Sequence, residues 1–332
     1  MAETSNIADV ALKISKDIFK YFKWHTHPKK DDNFNCLNDG HMSERGKCKS
    51  THPTDVVFSY QDPYSTFRVH LLTDLKSYSS DSITQSKLRS ALKSLAMSVE
   101  CANQSGEWKS KFNVVTEEHH EVRGLLFVHN HDKGYEKNFY LELGKVKTKS
   151  LPIARSNLIH YLGPSDIQRL FTIANDLMRL KSEDELPGPE NYTFYYPDLV
   201  MKRRSLDVWD QAATIETIAG PYIIIKHRKA EKTDAGFIIY YNRDGDCPEE
   251  FEYLIDSFSR FQMLESGERI RVRLVSANAN SDFKSHFETA KRRYVKSWGF
   301  LEERKNILDG IEVDRVAAVS DNYDPGQSGW KT

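Results

Sequence analysis

The chain has 332 residues, enough for two domains or one large one at about 100–200 residues per domain. Hydrophobic residues make up 39% and aromatics 11%, which supports real cores and excludes whole-chain disorder, collagen and coiled coil. A formal net charge of −1 means that any nucleic-acid contact must come from a local patch, and four cysteines in so long a chain fit a reducing cytosol rather than a disulfide scaffold.

Residues 1–9 lack the basic-then-apolar pattern of a signal peptide, and no run approaches the roughly 18 apolar residues of a membrane helix. The expectation is a soluble cytoplasmic protein with no membrane partner. Ile7, Val10, Ala11, Ile14 and Ile18 recur at helical spacing opposite Asp9, Lys13, Lys16 and Asp17, which predicts an amphipathic helix over 7–22. His27-Pro28 ends it, and a polar stretch over 29–51 follows, with room for a strand within 41–49. Strands are predicted at 56–60 and 67–76. In the second, Phe67, Val69, Leu71, Thr73 and Leu75 share one face, while Arg68, His70, Leu72, Asp74 and Lys76 share the other. A helix over 82–102, strands at 122–129 and 139–143, and a helix from Ser165 to about Leu180 come next.

The acidic segment 182–191, with two prolines and a glycine, reads as a linker. This gives an N-terminal domain over 1–181 and a smaller α+β domain over 192–319. In the latter, strands are expected at 222–227, 237–242 and 270–276, with helices at 248–264 and 282–298. Residues 320–332 are polar and read as a flexible tail.

The chemistry-bearing segment is Pro53-Thr54-Asp55 followed by Asp74-Leu75-Lys76. Carboxylate-x-lysine also occurs at Glu107/Lys109, Asp282/Lys284 and Glu303/Lys305, but only Asp74 and Lys76 share a predicted strand with an apolar opposite face. Only they follow a second acid, Asp55, at the head of a neighbouring strand. Two carboxylates converging from adjacent strands can hold Mg²⁺ (or Mn²⁺) through oxygen while leaving positions open for water and phosphate. The Leu75 carbonyl offers a further ligand. A lysine two residues along points at the same place and can orient the water or offset charge on the phosphate. The plainer alternative is a surface strand that ends in an Asp/Lys pair.

The order helix, strand, strand, strand, helix, strand resembles the αβββαβ core of the PD-(D/E)XK nuclease superfamily over about residues 1–130, with Asp55, Asp74 and Lys76 on its motif positions. Pro53 stands one residue further from Asp55 than the motif's name implies. The resemblance implies an α/β, restriction-endonuclease-like fold with a mixed sheet, and metal-dependent phosphodiester cleavage. It also suggests Glu44 as an early acid and Gln85 as a polar residue on the following helix.

His25, His27, Cys36, His41, Cys48 and His52 concentrate potential zinc ligands in one polar segment, where a structural zinc could staple a long loop. Their spacing matches no standard zinc pattern, and a plain polar loop is the alternative. His52, three residues before Asp55, could also meet a phosphate, and Cys101 reads as a core thiol. Arg269, Arg271 and Arg273 share a strand face that could track a phosphate backbone or could be paired with acids. Lys202-Arg203-Arg204 and Lys291-Arg292-Arg293 are further basic clusters. No GxxxxGK[ST] or GxGxxG loop is present, so an ATPase would have to be supplied by another chain.

The reading is a metal-dependent nuclease acting on DNA rather than RNA. It would suit anti-phage defence or restriction, with an activating protein partner and a homo-oligomer both open. The alternatives are a non-catalytic scaffold that keeps the nuclease fold, or an RNase.

Overall fold

The computed structural model describes residues 2–320 and Tyr323, apart from 66, 115–118, 148–150, 152–156, 198–208 and 300–301. The basic cluster Lys202-Arg203-Arg204 lies outside the described residues. The chain divides into two compact units, Met1–Gln168 with Asn322–Thr332, and Arg169–Asp321.

The first unit opens with helix α1 (Ala2–Asp17), which buries Ala11 and Ile14 and gives way to a 3-10 turn at Phe19–Phe22. Five strands then form one mixed sheet: β1 (His25–Asn35), β2 (Thr51–Gln61), β3 (Arg68–Tyr78), β4 (His120–Asn130) and β5 (Ile159–Leu162), in that spatial order. β1, β2 and β3 are antiparallel neighbours, whereas β3–β4 and β4–β5 are parallel. The parallel pair β3–β4 is joined by helix α2 (Gln85–Gln104), capped by the Thr84 hydroxyl, and the short helix α3 (Gly106–Lys111).

Leu88, Leu92, Leu95 and Val99 of α2 face Val57, Leu72, Val122 and Leu126 in one core. The close approach depends on Gly124. A Cβ there would stand 3.0 Å from Val99 Cγ2 and 3.1 Å from Leu95 Cγ. That contact fixes where α2 lies over the sheet.

Three local expectations give way. β1 falls in the polar stretch because, among the described residues, it pairs only with β2, so its sequence need not alternate; Pro28 is tolerated beside a register shift between Thr26 and Lys30. Residues 41–49 form only an isolated Met42–Cys48 bridge, closed by a turn in which Gly46 takes φ 70°. Residues 139–143 are helical, not extended: Asn138 Oδ1 accepts from the Tyr140 and Leu141 amides and starts helix α4 (Phe139–Gly144).

Helix α5 (Pro164–Ser182) carries the chain into the second unit. There β6 (Tyr192–Phe194), β7 (Tyr222–His227), β8 (Gly236–Tyr241), β9 (Arg269–Leu274) and β10 (Glu312–Arg315) form a second sheet in the order β10-β9-β8-β7-β6. Helix α6 (Ile215–Ala219) precedes β7. Helices α7 (Pro248–Arg260) and α8 (Phe283–Trp298) pack Phe251, Leu254, Phe258 and Phe287 onto Ile239, Val272 and Leu274, and α9 (Glu302–Asp309) adds Leu308. The 182–191 segment, expected as the linker, lies within this unit: Leu186 is buried, and Glu185 accepts from Arg271. At the expected tail, the Ser320 amide donates to Thr172, and Tyr323 is buried with its amide on Gln168.

Candidate active site

Period-2 geometry carries Asp74 and Lys76 to the same face of β3 as Leu72. Val56 pairs with Thr73 across the antiparallel ladder, so Asp55 and Asp74 occupy the next rung. The Leu75 amide donates to Asp55 Oδ2 over 2.6 Å, which fixes the Asp55 rotamer. Lys76 Nζ lies 2.5 Å from Asp74 Oδ1. Asp55, Asp74 and Lys76 therefore converge, as their spacing predicts.

The electrostatics are those of two crowded acids. Burial, reinforced by the neighbouring Asp74 carboxylate, pushes Asp55 up to about 7. Burial works against the Lys76 ammonium, but Asp74 and Asp55 outweigh it and hold its pKa above the ordinary value. A gap of about 10 Å³ is lined by Pro53, Asp55, Asp74 and the α2 residues Ser94 and Ser98, which is the scale of one small ion or water. Beside it, a cavity of about 400 Å³ is lined by Glu44, Lys76, Tyr78, Ser86, Lys87, Ser90 and Ser94.

The supporting residues divide. Glu44 reaches the larger cavity and accepts a hydrogen bond from Ser90 Oγ. Gln85 does not join the cluster: its amide donates to the Lys145 carbonyl at 2.5 Å, because the first residue of α2 points past the site rather than into it. The serines one, five and nine residues further on face the cavity instead. Ser86, Ser90, Ser94 and Ser98 recur every fourth residue, so the helix presents a hydroxyl at each turn of one face. That spacing was present in the sequence. Lys49 has no such signal. Its Nζ donates to Ser94 Oγ at 3.2 Å, and burial lowers its pKa although Cys36 and Asp74 oppose the shift.

The nucleic-acid residues expected elsewhere are corrected by the structure. His52 is fully buried, with Nε2 3.2 Å from His41 Nδ1, so it cannot meet a phosphate. Arg271 is buried and bonded to Glu185, and Arg273 is clamped by both oxygens of Asp176 at 2.6 and 2.7 Å. Arg269 alone is exposed, and Glu312 holds it through three contacts of 2.7–2.9 Å. The face is one of paired charges rather than a free basic stripe. Cys101 is more than a core thiol, since its sulfur lies 3.5 Å from His41 Nδ1.

A mixed sheet that presents two acids and a lysine from adjacent strands, under a helix, defines a nuclease-type domain. The chain belongs to the GAPS4 PD-(D/E)XK nuclease domain family, whose model matches residues 1–166. No curated protein and no solved structure matches the chain. Among the described residues, no helix is long and apolar enough to cross a membrane.

Proposed function

We propose that this protein is a metal-dependent endonuclease that hydrolyses DNA phosphodiester bonds. The convergence of Asp55, Asp74 and Lys76 beside an ion-sized gap carries this reading. Buried Asp55 and half-buried Asp74, whose negative charges repel each other, form a hard oxygen donor set, which suits Mg²⁺ or Mn²⁺. Asp55 and Asp74 would hold the ion, with the Leu75 carbonyl as a further ligand. When bound, such an ion activates water and polarises the phosphoryl oxygens.

The chain's own groups do the rest. Lys76, tethered to Asp74, orients the attacking water and donates a hydrogen bond where negative charge accumulates. The 400 Å³ cavity receives the phosphate backbone, with Lys87 and Lys49 supplying positive charge and the α2 hydroxyls donating to phosphate oxygens. Glu44 borders the same cavity and acts as the supporting acid.

The second unit serves as a binding module for nucleic acid or a protein partner. An ATPase or another activator acts on it in trans, since the chain carries no phosphate-binding loop motif of its own, and a homo-oligomer is compatible with this arrangement. A cytoplasmic effector of anti-phage defence or restriction fits a nuclease that waits for a partner.

The test is plasmid cleavage with and without Mg²⁺, comparing the natural chain with Lys76→Ala. Metal-dependent nicking that is lost in the variant supports the reading. Full cleavage by the variant would refute it. An RNA substrate run in parallel decides between the two nucleic acids.

A further inference from the structure

Away from the acids, four side chains from four parts of the first unit point at one another. Cys36 follows β1, His41 lies in the 36–50 connection, His52 is near the start of β2, and Cys101 is in the last turns of α2. Their donor atoms all lie within 4.8 Å of one another. We propose that Cys36, His41, His52 and Cys101 bind a structural zinc ion.

The distances carry the argument. Zn–S bonds of about 2.3 Å and Zn–N bonds of about 2.0–2.1 Å in a tetrahedron set edges of about 3.8 Å (S···S), 3.6 Å (S···N) and 3.3 Å (N···N). The two sulfurs stand 3.9 Å apart, the sulfurs of Cys36 and Cys101 stand 3.4 and 3.5 Å from His41 Nδ1, and the two histidine nitrogens are separated by 3.2 Å. These four edges match to within a few tenths of an ångström.

Hydrogen bonding does not account for this packing. His41 Nδ1 has one lone pair or one proton, yet it is approached by two sulfurs and a nitrogen. An ion at the centre replaces those competing contacts with one bond per donor. Two thiolates and two neutral imidazoles also balance a divalent charge, as a buried site requires. His52, His41 and Cys101 are each no more than 3% exposed.

The surroundings are those of a ligand shell. His41 Nε2 is buried without a hydrogen-bond partner and faces Glu100 Oε2 at 3.6 Å, while Asn38 Nδ2 holds the other Glu100 oxygen at 2.8 Å. A carboxylate behind a ligating histidine fixes its tautomer and raises its basicity. The Leu37 amide donates to Cys101 Sγ at 3.3 Å, which stabilises a thiolate. Four protein donors leave no open position, so the site is structural, and mixed thiolate and imidazole select zinc over Mg²⁺. The ion ties the connection that carries Glu44 and Lys49 to β2 and α2.

The test is metal content of the full-length chain, purified under reducing conditions without chelators. Elemental analysis should find one zinc per chain. Cys101→Ser and His52→Asn should reduce it to roughly a tenth or less, and stripping the natural chain with a chelator should lower its melting temperature. Cys48→Ser changes an exposed cysteine outside the set and should retain the zinc. Asp74→Ala should retain it as well, which separates this site from the nuclease reading. Zinc below roughly a tenth of an equivalent after reconstitution, another metal in its place, a Cys36–Cys101 disulfide, or full zinc in Cys101→Ser would each overturn the proposal.

Discussion

The Leu75 backbone amide holds the Asp55 carboxylate at 2.6 Å, so one candidate metal ligand is positioned by the peptide that joins the other two motif residues. Asp55 and the Asp74–Lys76 tripeptide are therefore one mechanical unit, and a change in β3 is felt by β2 without passing through the core.

Asp74→Ala removes a metal ligand and should abolish cleavage in a plasmid assay. It also removes negative charge beside the incoming phosphates, so DNA binding measured without metal should persist or tighten. Lost binding would place Asp74 in the scaffold instead.

Lys76→Ala should lower single-turnover cleavage by roughly 10²-fold while leaving Mg²⁺ affinity nearly intact, the scale for loss of one electrostatic stabiliser. Lys49→Ala should differ in kind. It should weaken DNA binding and reduce the slope of log K against log salt by about 1, as expected when one phosphate contact is lost.

Acid should destabilise the first unit through two histidines. Burial, aided by His25, lowers His27 to about 4, and burial with His27 and His120 lowers His70 to about 3. Both groups have an ordinary value of 6.5, so the unfolded chain binds more protons as pH falls through that value. Their contribution to stability is complete above 6.5 and is lost progressively towards 4 and 3. Each can cost up to about 1.4 kcal/mol per pH unit within its window. Urea unfolding at pH 7 and pH 5 should show the drop in the natural chain and a smaller drop in His70→Leu.

In the second unit, Asp176→Ala should destabilise by about 3–5 kcal/mol, because it strands the buried Arg273 guanidinium and removes a partner of Tyr240. Denaturant titration reads this directly. Charge reversal at Arg271 or Arg273 should likewise unfold the unit rather than tune DNA affinity, whereas reversal at the exposed Arg269 should leave the fold intact.

What the sequence discloses follows the reach of its periodicities. The alternation of β3 predicts that Asp74 and Lys76 share a face, and the strand expected from 56 places Asp55 beside them, although β2 in fact begins earlier, at Thr51. The strand over 222–227 and the helix expected over 248–264, which ends at Arg260, likewise signal themselves in the sequence. β1 escaped because an edge strand with solvated positions has no alternation to detect. The arginines of β9 look free in sequence because Asp176, which neutralises Arg273, lies 97 residues away. Cys101 stands apart from Cys36 by 65 residues, so no local spacing could join them.

The bare Gly124 surface has one further consequence. α2 rests on it through Leu95 and Val99, between the hydroxyls that line the cavity and the cysteine near its far end. At about 1.5 Å per residue, Cys101 lies about 6 Å beyond that resting point and Ser86 about 16 Å on the other side. Both stretches belong to one helix packed on the sheet through Leu88, Leu92, Leu95 and Val99, so a side chain at position 124 that pushed α2 away would displace the cavity serines and Cys101 together.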